Sequence, residues 1–111
     1  MIEEIVKNHL DASLEEQVFF EKPSPSFGKY VVLEKTGSDK GNHLPSATFA
    51  FQSYGRSLYE AAELNVKIKT AVESLIELDE IRGVSLNSDY NFTDTSTKEY
   101  RYQAVFDIKY Y

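Results

Sequence analysis

Residues 46–75 read SATFAFQSYGRSLYEAAELNVKIKTAVESL, and the hydrophobic period changes along this stretch from two residues to between three and four. Ser46 to Tyr54 alternates its side chains between two faces, which predicts a strand. Gly55 ends that pattern. After it, Ser57 and Glu60 have the spacing of a capping box, in which the serine accepts from the amide of Glu60 and the glutamate accepts from the amide of Ser57. The stretch therefore predicts a strand followed at once by the main helix.

The main helix has one apolar face and one charged face. The apolar residues recur at helical spacing, which predicts that the helix packs on a sheet. They are Ala61, Leu64, Ile68, Ala71, Val72 and Leu75.

Elements of the same two kinds are predicted on either side of this stretch. An amphipathic pattern at residues 2–10 predicts a first helix, and the apolar run at residues 17–21 predicts a brief strand. Residues 29–35 are apolar on both sides, which indicates a strand covered on each face. Residues 84–92 alternate as a half-buried strand, with Val84, Leu86, Tyr90 and Phe92 on one face, and residues 100–111 predict the last strand.

The predicted order is helix, strand, strand, strand, helix, strand, strand, and no linker or repeat divides residues 1–111. We therefore expect a single α+β domain with one antiparallel or mixed sheet of about four to five strands and two helices packed on one face. The strands at 29–35 and 46–54 are expected to form a hairpin around a long polar loop at 36–43. The aromatic last strand fits a sheet edge that pairs with another subunit, and it fits a central strand equally well.

Composition and charge limit the function. The 111 residues include no cysteine, which excludes disulfides, thiolate zinc sites and cysteine nucleophiles. A formal net charge of −6 repels phosphate, so specific nucleic-acid binding is not expected. No apolar run approaches the ~20 residues that span a bilayer, and the first residues are acidic, unlike a secretion signal, so no membrane contact is expected.

The sequence contains no recognisable catalytic motif. His9 lies on the apolar stripe of the first helix, where a packed, hydrogen-bonded ring is expected. His43 has one nearby carboxylate, Asp39, whereas a metal site needs three or four ligands. Neither a nucleophile elbow nor a glycine-rich phosphate loop occurs. We expect no enzyme activity, no catalytic residue, no metal and no cofactor.

Three stretches resemble one protein family. They are the helix at 2–10 with Val18-Phe19-Phe20-Glu21 after it, residues 46–54 running into Ser57 and the helix at 60–64, and residues 90–95 with residues 100–106. On these stretches almost the full chain resembles the tail-terminator or tail-completion type of minor tail protein, found in long-tailed phages and in prophages of Gram-positive hosts. The element order is also similar to that of the terminator fold.

The resemblance implies a structural protein that caps the growing tail tube, stops its polymerisation and meets the head–tail connector. Such proteins act as rings, usually of six copies, through which DNA passes. The implied partners are further copies of the chain, the tail tube protein and the connector protein. The implied location is the host cytoplasm during assembly and then the virion tail.

Exposed loops and the chain terminus are the candidate interfaces for such a ring, because loops and strand edges make contacts of this kind. The candidate residues are Thr36, Ser38, Asp39, Lys40, Asn42, His43, Thr93, Asp94, Thr95, Lys98, Tyr110 and Tyr111.

Two other functions fit the same sequence. One is a head-completion or connector adaptor of the same particle. The other is a small enzyme or ligand-binding α+β domain, with a pocket between sheet and helices around His9, Tyr30 or Tyr90.

Overall fold

A computed structural model gives the structure, which describes residues 1–25, 28–41 and 44–111. The elements are α1 (Ile2–Ser13), β1 (Gln17–Phe19), β2 (Tyr30–Gly41), β3 (Leu44–Gly55), α2 (Leu58–Glu73), a 3-10 turn (Ser74–Glu77), β4 (Ile81–Asn91) and β5 (Tyr100–Tyr110). The α+β class and the predicted element order are confirmed. No helix among the described residues is long and apolar enough to cross a membrane.

Within the described residues, five strands form one mixed sheet in the order β1-β2-β3-β5-β4. β1 is parallel to β2, and the other neighbours are antiparallel. The last strand, β5, therefore lies inside the sheet, and its interpretation as an edge strand is wrong. Two neighbouring strands and the helix layer bury Ala104, Phe106 and Ile108 completely, which explains its apolar pattern.

The main core lies between the sheet and the two helices. Burying a large apolar side chain stabilises the fold by roughly 1.5–3 kcal/mol, so this layer supplies most of the driving force for folding. Its members include Ile2, Val6 and Leu10 of α1, Leu64, Ile68 and Val72 of α2, and Phe49, Phe51 and Phe106 of the sheet. The opposite face has a smaller cluster at one end, made of Tyr30, Val32 and Tyr54 with Phe19 packed against it.

The polar loop predicted at 36–43 is mostly strand. β2 continues to Gly41 and pairs with β3 as far as Leu44, with a bulge between Lys35 and Gly37. Because the side chains of residues 36–40 are exposed, the sequence has no alternating hydrophobic pattern here that would predict a strand. Backbone pairing with β3 holds it instead. Asn42 and His43 lie outside the described residues.

The predicted cap of α2 is confirmed for the serine and wrong by one residue for the glutamate. The Ser57 hydroxyl accepts from the Glu60 amide at 3.1 Å, and the Glu60 carboxylate accepts from the amide of Arg56 at 2.8 Å, not from that of Ser57. A Cβ atom at Gly55 would lie 2.6 Å from the backbone nitrogen of Ala61. Only glycine therefore lets β3 pass this close to the first turn of the helix.

β4 departs from the predicted alternation. A bulge between Leu86 and Ser88 places Leu86 opposite Phe106 on the helix face and Tyr90 opposite Gln103 on the other face. The prediction that Leu86 and Tyr90 share one half-buried face is wrong, and their side chains are 47% and 42% exposed. A bulge adds one residue to one strand and leaves no mark in a hydrophobic pattern.

Candidate functional site

The outer edge of β4 is open, because no other strand of the described residues pairs with it. The amide of Phe92 donates to the carbonyl of Arg101 across the sheet at 2.9 Å. Since successive strand amides alternate in direction, the amides of Asn91 and Asp89 point away from β5. Unpaired donors along an edge bind a further strand, so this edge is a candidate assembly surface.

The outer edge of β2 is open beyond its first three residues. In the part of the chain that the structure describes, β1 pairs with Tyr30, Val31 and Val32 and with nothing further along β2. The residues from Leu33 onward therefore lack an outer neighbouring strand among the described residues. This edge and the β4 edge lie on opposite sides of the sheet.

The two open edges lie at the same height in the sheet. The pairing of neighbouring strands shows this. A residue of β2 has a partner on β3, which has a partner on β5 and then on β4, so a row of partners connects one edge with the other. The lower row is Leu33, Phe51, Ala104 and Asp89, and the upper row is Ser38, Ala47, Ile108 and Val84. β2 and β4 also run in opposite directions, since three antiparallel pairings separate them. The edges therefore match in height and can meet as antiparallel strands.

The sheet face opposite the helices carries cross-strand polar ladders. Thr48 donates to Asp107 at 2.8 Å, and Asn87 donates to the other oxygen of the same carboxylate at 3.1 Å. Gln52 donates to Gln103 at 2.9 Å. These hydrogen bonds fix the polar side chains of β3, β5 and β4 in place.

A cleft of about 310 Å³ opens at the end of the sheet where β2 and β5 begin. Its floor includes Tyr30 and Tyr54, whose rings stack with centroids 4.6 Å apart and planes at 11°. Both tyrosines are buried. The other lining residues are Gly28, Gly55, Arg56, Thr97, Lys98, Glu99 and Tyr100.

Two cations neutralise the acid in this cleft. Lys22 forms an ion pair with Glu99, and their hydrogen bond raises the pKa of the Lys22 ammonium group. Arg101 contacts the same carboxylate at 3.4 Å, while its guanidinium stacks over the ring of Phe92 at 4.6 Å. The Glu99 carboxylate therefore has its negative charge matched on both sides.

A tight turn presents Lys98 at the mouth of the cleft. The amide and hydroxyl of Ser96 donate to the Asp94 carboxylate at 3.1 and 2.7 Å, and these hydrogen bonds lower the pKa of Asp94. Lys98 has a φ of 55°, a left-handed conformation that lysine rarely adopts. It makes no ion pair with any described residue, whereas the nearby Arg56 pairs with Glu60 at 3.3 Å.

The predicted interface residues fall at opposite ends of the sheet. Strand pairing places Lys40, Tyr110 and their neighbours at the end where β4 begins. Thr93, Asp94, Thr95 and Lys98 lie at the cleft end. They do not form a single surface. The sequence-based prediction did not include the β4 edge or Arg56. The polar tract Asn87-Ser88-Asp89 was a signal for an exposed edge. Nothing in the sequence singled out Arg56.

The residues proposed for a ligand pocket are not brought together. The His9 ring is hydrogen-bonded to the Ser74 hydroxyl at 2.7 Å, as expected for a packed histidine, and lines a separate cleft beside Leu78. Tyr30 lines the cleft at the far end of the sheet, and Tyr90 lies on the open face. Because His9, Tyr30 and Tyr90 lie apart, their positions do not support the predicted ligand pocket between sheet and helices.

Among the described residues, no group of three or more histidine, aspartate or glutamate side chains could hold a metal ion. No protein-family model matches the chain, and no curated protein is significantly similar to it. The geometry alone thus defines the class: over the described residues, the chain is a two-layer α+β domain whose sheet has two open edges and a cleft at one end.

Proposed function

We propose that this protein is a structural subunit of a phage or prophage tail, which assembles into a ring that terminates or completes the tail tube and joins it to the head connector. The observation that carries the proposal is the pair of open edges, on β2 and β4, that match in height and run in opposite directions. The position at the tail tube and the number of six copies follow from the family resemblance.

Ring formation follows from the direction of the strands. In a ring whose axis runs along the strands, every copy points the same way. The β4 edge of one copy then meets the β2 edge of the next as an antiparallel pair, without a shift along the strand. Each contact joins two different surfaces, so contacts repeat around the axis until the ring closes. An isolated sheet with two such edges would otherwise be prone to aggregation.

A proline in the β4 edge tests this pairing. Asp89→Pro removes one outward-pointing amide, and proline is tolerated on an edge strand because no internal ladder bond is lost. Asp89→Ala is the matched control, since both variants lose the hydrogen bond from Asn65 at 3.1 Å and the ion pair with Lys69 at 3.2 Å. Light scattering of the purified chain, alone and with tail tubes, measures ring formation.

We expect rings from the wild type and from Asp89→Ala, and monomers with a native circular-dichroism spectrum from Asp89→Pro. Rings of normal size from Asp89→Pro would refute the edge pairing. If the rings bind the connector protein but do not cap tail tubes, the result would support the connector adaptor instead of the tail terminator.

A further inference from the structure

We propose that the cleft at residues 28–30, 54–56 and 97–100 is a docking site for an acidic side chain, a glutamate or aspartate, of a partner protein. The proposal rests on the proposed function for the place of the partner, at one end of the ring. Binding of an acidic peptide to the cleft does not depend on ring formation, so the two proposals can fail separately.

The cleft has an excess of positive charge that its own acid does not cancel. Glu99 is shared between Lys22 and Arg101, so it offers little repulsion to an incoming anion. Lys98 lines the cleft with no ion pair among the described residues, while the 72% exposed side chain of Arg56 is already paired with Glu60 at 3.3 Å. The ammonium group of Lys98 is therefore the unpaired cation that an incoming carboxylate would bind, with the Arg56–Glu60 pair beside it.

The rest of the molecule has the opposite sign, so it repels an acidic group and directs it toward this end. The chain carries a formal net charge of −6, and the opposite end of α2 leads into the exposed acids Glu77, Asp79 and Glu80. In the proposed ring all copies point the same way and the acidic turn lies at the far end from the cleft, so a neighbouring copy would not bring these three acids to it. The occupant that fits the proposed ring is therefore an acidic side chain of another protein.

The shape of the cleft suits a side chain better than a nucleic acid. Its volume of about 310 Å³ accommodates a short side chain with the neighbouring backbone, and the buried, stacked rings of Tyr30 and Tyr54 form part of its lining. Nucleic-acid binding requires a row of cations along the phosphate backbone. The cleft presents Arg56 and Lys98 at its rim and no longer stripe among the described residues.

A titration with a short oligoglutamate peptide at low ionic strength tests the proposal. Amide chemical shifts of the full chain, followed by NMR, locate the peptide, and we expect the largest changes at Gly28, Gly55 and Lys98. Lys98→Asn removes the charge and keeps a residue that tolerates the left-handed conformation. Lys98→Glu reverses the charge. Lys40→Glu is the matched control, because Lys40 is also exposed and without an ion pair among the described residues but lies at the other end.

We expect affinity for the peptide to fall about threefold in Lys98→Asn and about tenfold in Lys98→Glu, as for the loss and the reversal of an exposed ion pair. Lys40→Glu should change it less than about twofold, through long-range charge alone. Equal effects of Lys98→Glu and Lys40→Glu, or peptide-induced shifts away from the cleft, would overturn the proposal. So would tighter binding of inorganic phosphate or duplex DNA at the same amides.

Discussion

Replacement of Gly55 by alanine is predicted to loosen the junction between β3 and α2. The new Cβ would lie 2.6 Å from the backbone nitrogen of Ala61 and 3.0 Å from the carbonyl carbon and Cβ of Glu60. All three atoms belong to the first turn of a helix, so relief requires a shift of backbone and not of a flexible side chain. Overpacking of this kind costs about 1–3 kcal/mol, and we expect about 2 kcal/mol because the neighbouring cap also moves.

Gly37→Ala is the matched control for this substitution. A Cβ at Gly37 would meet no atom within 4 Å, and the loss of chain entropy in the unfolded state favours alanine. We expect Gly37→Ala to be neutral or to stabilise the fold by up to about 1 kcal/mol. Urea unfolding followed by circular dichroism gives both free energies of unfolding. Equal stabilities for the two alanine variants would refute the close-contact explanation of Gly55.

Two further predictions concern the start of α2 and the ion pair between α2 and the segment that joins α1 to β1. Ser57→Ala removes the acceptor for the Glu60 amide and should lower the free energy of unfolding by about 1 kcal/mol. Ser57→Asp keeps an acceptor at this position and should retain most of the stability. Equal losses of stability in the two variants would contradict the cap. Burial raises the pKa of the Glu16 carboxyl, but the hydrogen bond and charge of Lys67 at 2.9 Å outweigh burial and leave this pKa lowered. The ionised group therefore adds stability above the ordinary glutamate pKa of about 4.3 and loses it as the pH falls through the folded value. Urea unfolding across this range should show Glu16→Gln less stable than wild type near neutral pH, with a difference that narrows in acid; a difference independent of pH would contradict the ion pair.

Elements with local signals were predictable from the sequence. The helix α2 has a helical stripe, a breaking glycine and a capping serine, all within one continuous stretch, and the structure places its N-cap at Ser57 as expected. The His9 ring was likewise expected to be packed and hydrogen-bonded, because its neighbours on the helix face are apolar.

Features that depend on distant pairing were not predictable in the same way. The position of β5 between β3 and β4 is set by which strands meet, and the alternation of Ala104, Phe106 and Ile108 fits an internal and an edge strand alike. Residues 36–40 form strand because β3 supplies partners for their backbone, although no side chain is buried.

The cleft was not predictable from the sequence for the same reason, because its residues are distant along the chain. Gly28, Gly55 and Lys98 come from three segments far apart in sequence, and only the folded sheet brings them to one end. The turn containing Lys98 was predicted as a contact loop, but its neighbours in the cleft were not.

Chemical cross-linking across the two open edges tests the central claim most directly. The chain has no cysteine, so thiols introduced at Thr36 on β2 and Ser85 on β4 would be the only ones, and both side chains are exposed. A short bis-maleimide should join the doubly substituted chain into a covalent ladder that ends at the closed ring, because each contact pairs β2 of one copy with β4 of the next. Each singly substituted chain should remain uncrosslinked. Covalent dimers from either single variant, with no ladder from the double variant, would contradict the account.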